Sequence, residues 1–336
     1  MLDVKTETAV SGSGPVPAST RSTPPGSFSL AHLSDLHLTS LDNIKIPQLF
    51  NKRILGYLSW RNKRRKAHRR EIVNALLEDL RITSPDHIAI TGDLTFLGLP
   101  EEFAEVEQWL PGLGSPDQVT LIPGNHEAYA GWDWMKSCGM WAPYLEADAG
   151  RDPQQIAGFF PSLRIRGQIA LIGLCSARPS LPLLATGSLG GKQLSRLETL
   201  LKETGERGLF RVLLIHHPPA QGTVSWRKRL TDRSLFAAVL ARHGAELVLH
   251  GHAHAPKLSA LQTPAGNAPV IGAPSASEFS PWTANSAKYN IYRLHRSAAG
   301  WVLSMSVRSY SEDLDRFVFE KEMIVPLPHT QGIGSS

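Results

Sequence analysis

Val119-Thr120-Leu121-Ile122-Pro123-Gly124-Asn125-His126-Glu127 is the stretch on which the fold turns. Four residues suited to a buried strand run into a Pro-Gly break, and an amide, an imidazole and a carboxylate follow at once. The same arrangement recurs along the chain. Strand-like residues 28–34 lead into Asp35-Leu36-His37, and 87–91 into Gly92-Asp93. Residues 212–215 lead into His216-His217-Pro218-Pro219, and 246–249 into His250-Gly251-His252-Ala253-His254. Between these strands lie helical segments. In 70–82 the residues Ile72, Val73, Leu76, Leu77 and Leu80 share one face, and 101–110, 191–201 and 235–242 also read as helices. Residues 163–165 and 169–174 flank Arg166-Gly167-Gln168 as a hairpin, and further strands are expected near 270–272, 289–294 and 302–307. Strands alternating with helices, then a hairpin-rich later part, predict an α/β sandwich. In such folds the carboxyl ends of strands carry the site.

Taken singly, each cluster has an ordinary explanation as a turn, a loop or a satisfied core histidine. Five clusters of ligand-type residues, all at strand ends, are expected to meet along one edge of a sheet. Their mixture of nitrogen and oxygen donors suits manganese, iron or zinc better than magnesium or calcium, which take all-oxygen shells. A carboxylate shared between two cations is the core of a two-metal hydrolase. The neighbouring glycines are expected to let the backbone turn tightly at each strand end.

In order, Asp35-x-His37, Gly92-Asp93, Gly124-Asn125-His126-Glu127, His216-His217-Pro218-Pro219 and Gly251-His252-x-His254 resemble the calcineurin-like metallophosphoesterases over residues 28–255. Gly92-Asp93-Leu94-Thr95 with Gly98 and Glu102-Phe103 is similar to the cyclic-nucleotide phosphodiesterase-like branch of that superfamily. The resemblance implies a four-layer αββα sandwich, two mixed β-sheets flanked by helices. It implies two metal ions, with Asp35, His37 and His254 on one, Asn125, His216 and His252 on the other, and Asp93 bridging. It makes His126 a catalytic residue over the phosphate rather than a ligand, and a metal-bound hydroxide the in-line attacker on a phosphodiester. His216 is the family-like ligand at its strand end, with His217 packed nearby and His250 structural. Glu127 is expected to orient histidine ligands, as carboxylates commonly do.

The formal charge of +5 is an uneven average. Residues 45–70 hold ten Lys/Arg and no Asp/Glu, so the rest of the chain has 25 basic residues against 30 acidic ones. Within that segment Leu49, Phe50, Ile54, Leu55 and Leu58 could share a helical face, and Tyr57 and Trp60 are interface-type aromatics. Three readings stay open. It is a solvated basic helix packed on the core, an element that meets an anionic membrane, or, the least supported since no recognition motif accompanies the charge, a nucleic-acid contact. On the second reading the substrate is a lipid-linked phosphate or pyrophosphate, the class cleaved by the UDP-2,3-diacylglucosamine hydrolases of the same superfamily. A basic run at Trp226-Arg227-Lys228-Arg229 lies between the two late histidine motifs. A reading of another class, a lipid-binding scaffold that keeps metals for structure, has no use for the non-ligand His126.

Residues 1–27 and 326–336 are poor in large apolar side chains and read as disordered tails around a single domain, 28–325. The two cysteines form no metal or disulfide pattern. No run approaches a membrane span and the first residues lack a signal-like apolar stretch, so a cytoplasmic setting is expected, peripheral to the inner membrane if the basic segment meets lipid.

Overall fold

The computed structural model of the chain describes residues 26–39, 41, 44–49, 52–64, 67–129, 137–148, 159–279 and 286–328. Most of the two expected tails, with Phe50 and residues 65–66, therefore lies outside the described residues. Twelve strands form two mixed six-stranded sheets. In the first, β1 (Phe28–Leu33), β2 (His87–Ile90) and β3 (Val119–Leu121) run parallel, and the antiparallel β10 (Lys288–Ser297), β11 (Gly300–Ser311) and β12 (Arg316–Val325) continue from β1. In the second, β5 (Ile169–Gly173), β6 (Phe210–Ile215), β7 (Leu247–His250) and β9 (Gly266–Gly272) run parallel, with β4 (Ser162–Arg166) and β8 (Lys257–Thr263) as antiparallel edges.

Strand alternation divides the core. On β6, Val212 and Leu214 join the large cluster that also takes Leu30, Ile90 and Leu121 from the first sheet. Leu213 and Ile215, on the opposite face, pack with helices α5 (Gly191–Glu206) and α6 (Arg233–His243) through Leu197, Leu201, Phe236 and Leu240. The first sheet is flanked by α2 (Arg70–Thr83), whose buried Asp79 accepts hydrogen bonds from Tyr289 on β10 and Arg308 on β11. A further helix, α3 (Pro100–Trp109), starts with Pro100 in its first turn, where a missing N–H costs nothing. A short α4 (Ala142–Leu145) leads toward β4. Helices thus flank a pair of sheets, as expected.

Two strands, β8 and β12, were not foreseen in the sequence, and β9 begins four residues before the stretch expected near 270–272. Leu258, Phe319 and Ile324 on the two edge strands β8 and β12 are exposed, so burial writes no alternating pattern there. Those strands exist because a neighbour supplies their hydrogen bonds.

The basic segment also departs from expectation. It is a 3-10 turn at Ile46–Leu49, a short helix α1 (Arg53–Ser59) and a π turn at Trp60–Arg64, not one helix. Trp60 is buried and, with the partly buried Tyr57, packs against Leu41, Phe96, Leu97 and Leu99, so the two aromatics face the core. Ile54, Leu55 and Leu58 point outward. Three of the ten cations have partners elsewhere in the fold among the described residues. Lys52 donates to the Ser180 carbonyl, Arg53 to those of Leu97 and Gly98, and Arg69 pairs with Glu312. No helix among the described residues is long and apolar enough to cross a membrane.

Candidate metal centre

The ligand-type residues do not line one sheet edge. β1, β2 and β3 of the first sheet deliver Asp35, His37, Asp93, Asn125 and His126; β6 and β7 of the second deliver His216, His252 and His254. The site sits where the ends of both sheets meet. Asp35 N–H donates to the Gly92 carbonyl at 3.0 Å and His37 N–H to that of Asp93 at 3.0 Å. His252 N–H donates to Asp35 Oδ2 at 2.9 Å, and so ties the sheets together.

The backbone is strained where these side chains leave it. Eight non-glycine residues among those described have positive φ, and five are Asp35 (52°), His37 (42°), Asp93 (58°), His252 (67°) and His254 (51°). Each left-handed residue costs about 1–2 kcal/mol, which the surrounding packing must supply. Two glycines are required by close approach rather than by turning. A Cβ at Gly124 would collide with the Asp93 carboxylate, and one at Gly251 would lie 2.7 Å from Asp35 Oδ2 and collide with Ser34 Oγ.

Three groups bring nitrogen and oxygen donors together: Asp35 with His37 and His254, His37 with Asp93 and His126, and Asp93 with His216 and His252. Within each group the donor atoms lie within 4.8 Å of one another. Asp93 belongs to clusters on both sides, as a bridging carboxylate must.

The histidines are pinned by their far nitrogens. Nδ1 of His37 donates to the Thr95 carbonyl at 2.7 Å, that of His216 to the Thr91 carbonyl at 2.7 Å, and that of His126 to the Phe96 carbonyl at 2.5 Å. Nδ1 of His254 lies 2.7 Å from Glu278 Oε2. A carbonyl only accepts, so these rings carry the proton on Nδ1 and turn Nε2 to the centre. Around His216 Nε2 stand Asn125 Oδ1 at 3.1 Å, His252 Nδ1 at 3.2 Å and Asp93 Oδ2 at 3.3 Å. One proton could satisfy one of these electron-rich contacts; a cation satisfies all of them. Nearby, Asp35 Oδ1 is buried without a hydrogen bond and lies 3.2 Å from His254 Nε2. The donor set fits two cations.

The electrostatics agree. Against burial, which lowers it, the Asp93 carboxylate raises His216 to about 9. Against the same effect, Asp35 and Glu278 raise His254 to about 10. Both shifts report a negative potential that a cation would answer. Burial, with His217 and His216 nearby, holds His252 well below the usual imidazole range and so in its neutral, metal-ligating form.

His217 packs beside this cluster, its ring 4.6 Å from that of His252, and its Nδ1 meets Ser176 Oγ at 2.8 Å. His250 is buried, with Nδ1 3.0 Å from the Gly251 carbonyl. Glu127 departs from expectation, since among the described residues its hydrogen bonds run to the loop after β2 and to Gly124, not to a histidine. Its Oε2 accepts from the N–H of Asp93 and Gly124, and its Oε1 from the N–H of Leu94 and Thr95 and from Thr95 Oγ1. Burial and the Asp93 charge raise it to about 7, while the backbone N–H groups of Thr95 and Gly124 pull the other way. Glu102 does the same for the next turn, accepting from Phe96, Leu97 and Leu99 N–H.

Some site residues escaped the sequence reading. Glu278 and the Ser275 and Ser277 hydroxyls, which hold the Asp35 and Leu36 carbonyls, follow β9. The strand-end rule applied once more, after 270–272, would have found them. His68, with its ring 4.8 Å from that of His37, and Tyr129, stacked on His126 at 5.5 Å, had no such signal. A cleft of about 320 Å³ opens over Asn125 and His126, and Lys52, Tyr129, Arg227 and Lys228 also line it.

Residues 28–256 match the family model of the calcineurin-like phosphoesterases. The chain belongs to that family. Calcineurin-like phosphoesterases bind a dinuclear divalent metal centre, and the histidine and aspartate clusters fit one. Among curated proteins, this phosphoesterase is 31% identical over 183 residues to one named "Probable cyclic nucleotide phosphodiesterase" from Synechococcus sp., covering 54% of this chain and 62% of the relative. It is 28% identical over 193 residues to the glycerophosphodiester phosphodiesterase GpdQ of Enterobacter lignolyticus, covering 56% of each. The matches thus span less than two thirds of either relative. A dimetal phosphatase from Danio rerio shares the fold at a TM-score of 0.52 and 12% identity, covering 87% of this chain and 98% of its own.

Proposed function

We propose that this phosphoesterase hydrolyses phosphodiesters at a two-metal centre. Asp35, His37 and His254 would hold one cation, Asn125, His216 and His252 the other, and Asp93 would serve both. The convergence of Asn125 Oδ1, His252 Nδ1 and Asp93 Oδ2 on His216 Nε2, at 3.1, 3.2 and 3.3 Å, carries this reading. The nitrogen-rich donor set favours manganese, iron or zinc. Bound there, the cations lower the pKa of water and neutralise charge at phosphorus. The named relatives support a diester over a monoester.

His126 is the residue for the leaving group. Its Nδ1 is spent on Phe96, its ring is held against Tyr129, and it lines the cleft. With both ring nitrogens protonated, the imidazolium passes its Nε2 proton to the departing oxygen as the P–O bond breaks and is left as the neutral Nδ1–H ring. Arg227 and Lys228 give the cleft positive charge for an anionic substrate.

The test is turnover of bis-p-nitrophenyl phosphate by chelator-stripped protein reloaded with manganese. Asn125→Ala and His126→Ala should each lose about 10²-fold or more while far-UV circular dichroism stays native. Native turnover in both variants overturns the assignment. Metal uptake with no turnover of any ester returns the chain to the scaffold reading.

A further inference from the structure

Three separate segments form the mouth of the cleft, and each shows apolar side chains to solvent. On α1 these are Ile54, Leu55 and Leu58, 49%, 44% and 46% exposed. On the turn at 180–184 they are Leu181 and Leu183, 73% and 78% exposed, and on the turn at Trp226–Lys228 it is Trp226, 60% exposed. These are six of the twelve large exposed apolar residues among those described, and all stand on the three segments that line the cleft. Scattered single residues of this kind are normal; a cluster is not.

The rim is built to hold this display. Lys52 Nζ donates to the Ser180 carbonyl at 2.8 Å, which ties α1 to the 180–184 turn. Leu184 N–H donates to the Leu181 carbonyl at 3.0 Å, closing that turn, and Ala185 N–H donates to the Arg227 carbonyl at 2.8 Å, joining it to the third segment. Leu183 sits at a φ of 66°, a costly conformation for a bulky residue, and does so while largely exposed.

The three segments that carry these side chains hold charge of one sign. Residues 44–64, 177–188 and 221–231 contain no Asp or Glu. Lys45, Arg61, Arg227, Lys228 and Arg229 are all exposed there. Aliphatic tips, a tryptophan and surrounding cations suit the boundary of an anionic bilayer, where the tips enter the acyl region and the cations meet headgroups. A nucleic acid would be met by cations and stacking rings, not by five aliphatic side chains.

We propose that the cleft mouth docks on an anionic lipid surface through Ile54, Leu55, Leu58, Leu181, Leu183 and Trp226, with Arg61, Arg227 and Lys228 on the headgroups. The proposal goes beyond the hydrolytic reading and stands on exposure and charge alone. If both hold, the phosphodiester reaches the centre from that surface.

The experiment is flotation of the full chain with vesicles of phosphatidylcholine, plain or with a third of the lipid as phosphatidylglycerol. The wild type should float with the anionic vesicles and not with the neutral ones. Ile54→Ser/Leu58→Ser/Trp226→Ala, at exposed positions outside the cleft lining, should bind about tenfold less, as should Arg227→Gln/Lys228→Gln. The apolar variant should hydrolyse bis-p-nitrophenyl phosphate in solution as the wild type does, which separates failure of docking from failure of the hydrolase reading. Absence of wild-type flotation overturns the proposal. So does an apolar variant that floats as well as the wild type, since the attraction is then charge alone, or binding to duplex DNA in place of vesicles.

Discussion

Glu127→Gln is the sharpest test of how the centre is held. The substitution keeps size and shape and exchanges one carboxylate oxygen for an NH₂ group. Oε2 accepts from Asp93 N–H at 2.9 Å and Gly124 N–H at 2.7 Å, and Oε1 from Leu94 and Thr95 N–H at 2.9 Å each and Thr95 Oγ1 at 3.0 Å. Whichever way the amide turns, its NH₂ faces at least two buried backbone N–H donors. Each donor so stranded costs about 1–3 kcal/mol, so the variant should lose about 2–6 kcal/mol of stability. The same loop carries Asp93, so metal affinity should fall about 10–100-fold. Denaturant unfolding with chelator measures the first quantity, and calorimetric manganese titration the second. Stability within about 0.5 kcal/mol of wild type, with unchanged affinity, would refute the claim that Glu127 acts by holding that loop.

Metal binding itself should stabilise the fold: cation at a hundred times its dissociation constant adds about 2.7 kcal/mol, and Asp93→Asn, which removes the carboxylate common to both clusters, should abolish the rise in Tm. Asp79→Ala strands Arg308 and the Tyr289 hydroxyl, whose contacts to Asp79 include one of 2.6 Å and one of 2.5 Å, and should cost about 3 kcal/mol in denaturant unfolding; a loss below about 1 kcal/mol would show the link between α2 and the first sheet to be dispensable. Burial, with Arg166 and Arg164 nearby, lowers His87 from 6.5 to about 3, so folding favours its neutral form. Its contribution is complete above pH 6.5 and is lost as pH falls from there toward 3, amounting to about 2 kcal/mol at pH 5. His87→Gln should flatten the decline in Tm between pH 7 and 5 relative to wild type, and an unchanged slope would place the acid sensitivity elsewhere.

The order of elements, the central strands and the residues gathered at the centre were legible in the chain, because buried strands must be apolar and site residues stand where such strands end. The residues after 28–33, 87–90, 119–121, 210–215 and 247–250 mark both at once. Edge strands β8 and β12 were not legible, because they exist through hydrogen bonds to a neighbour and bury little. Neither was the work of Glu127 and Glu278, since a carboxylate's partners are fixed by what lies across the fold. Tyr57 and Trp60 are interface-type aromatics in the sequence, and the fold packs them on Phe96 and Leu97. The motif order already names the aspartates and histidines that meet at the centre. That they meet between two sheets rather than along one, and that Leu55, Leu181 and Trp226, far apart in the chain, share a rim, follows from how the elements pack. Periodicity records the burial of one element at a time, whereas a site and a docking face are made by the distance between elements.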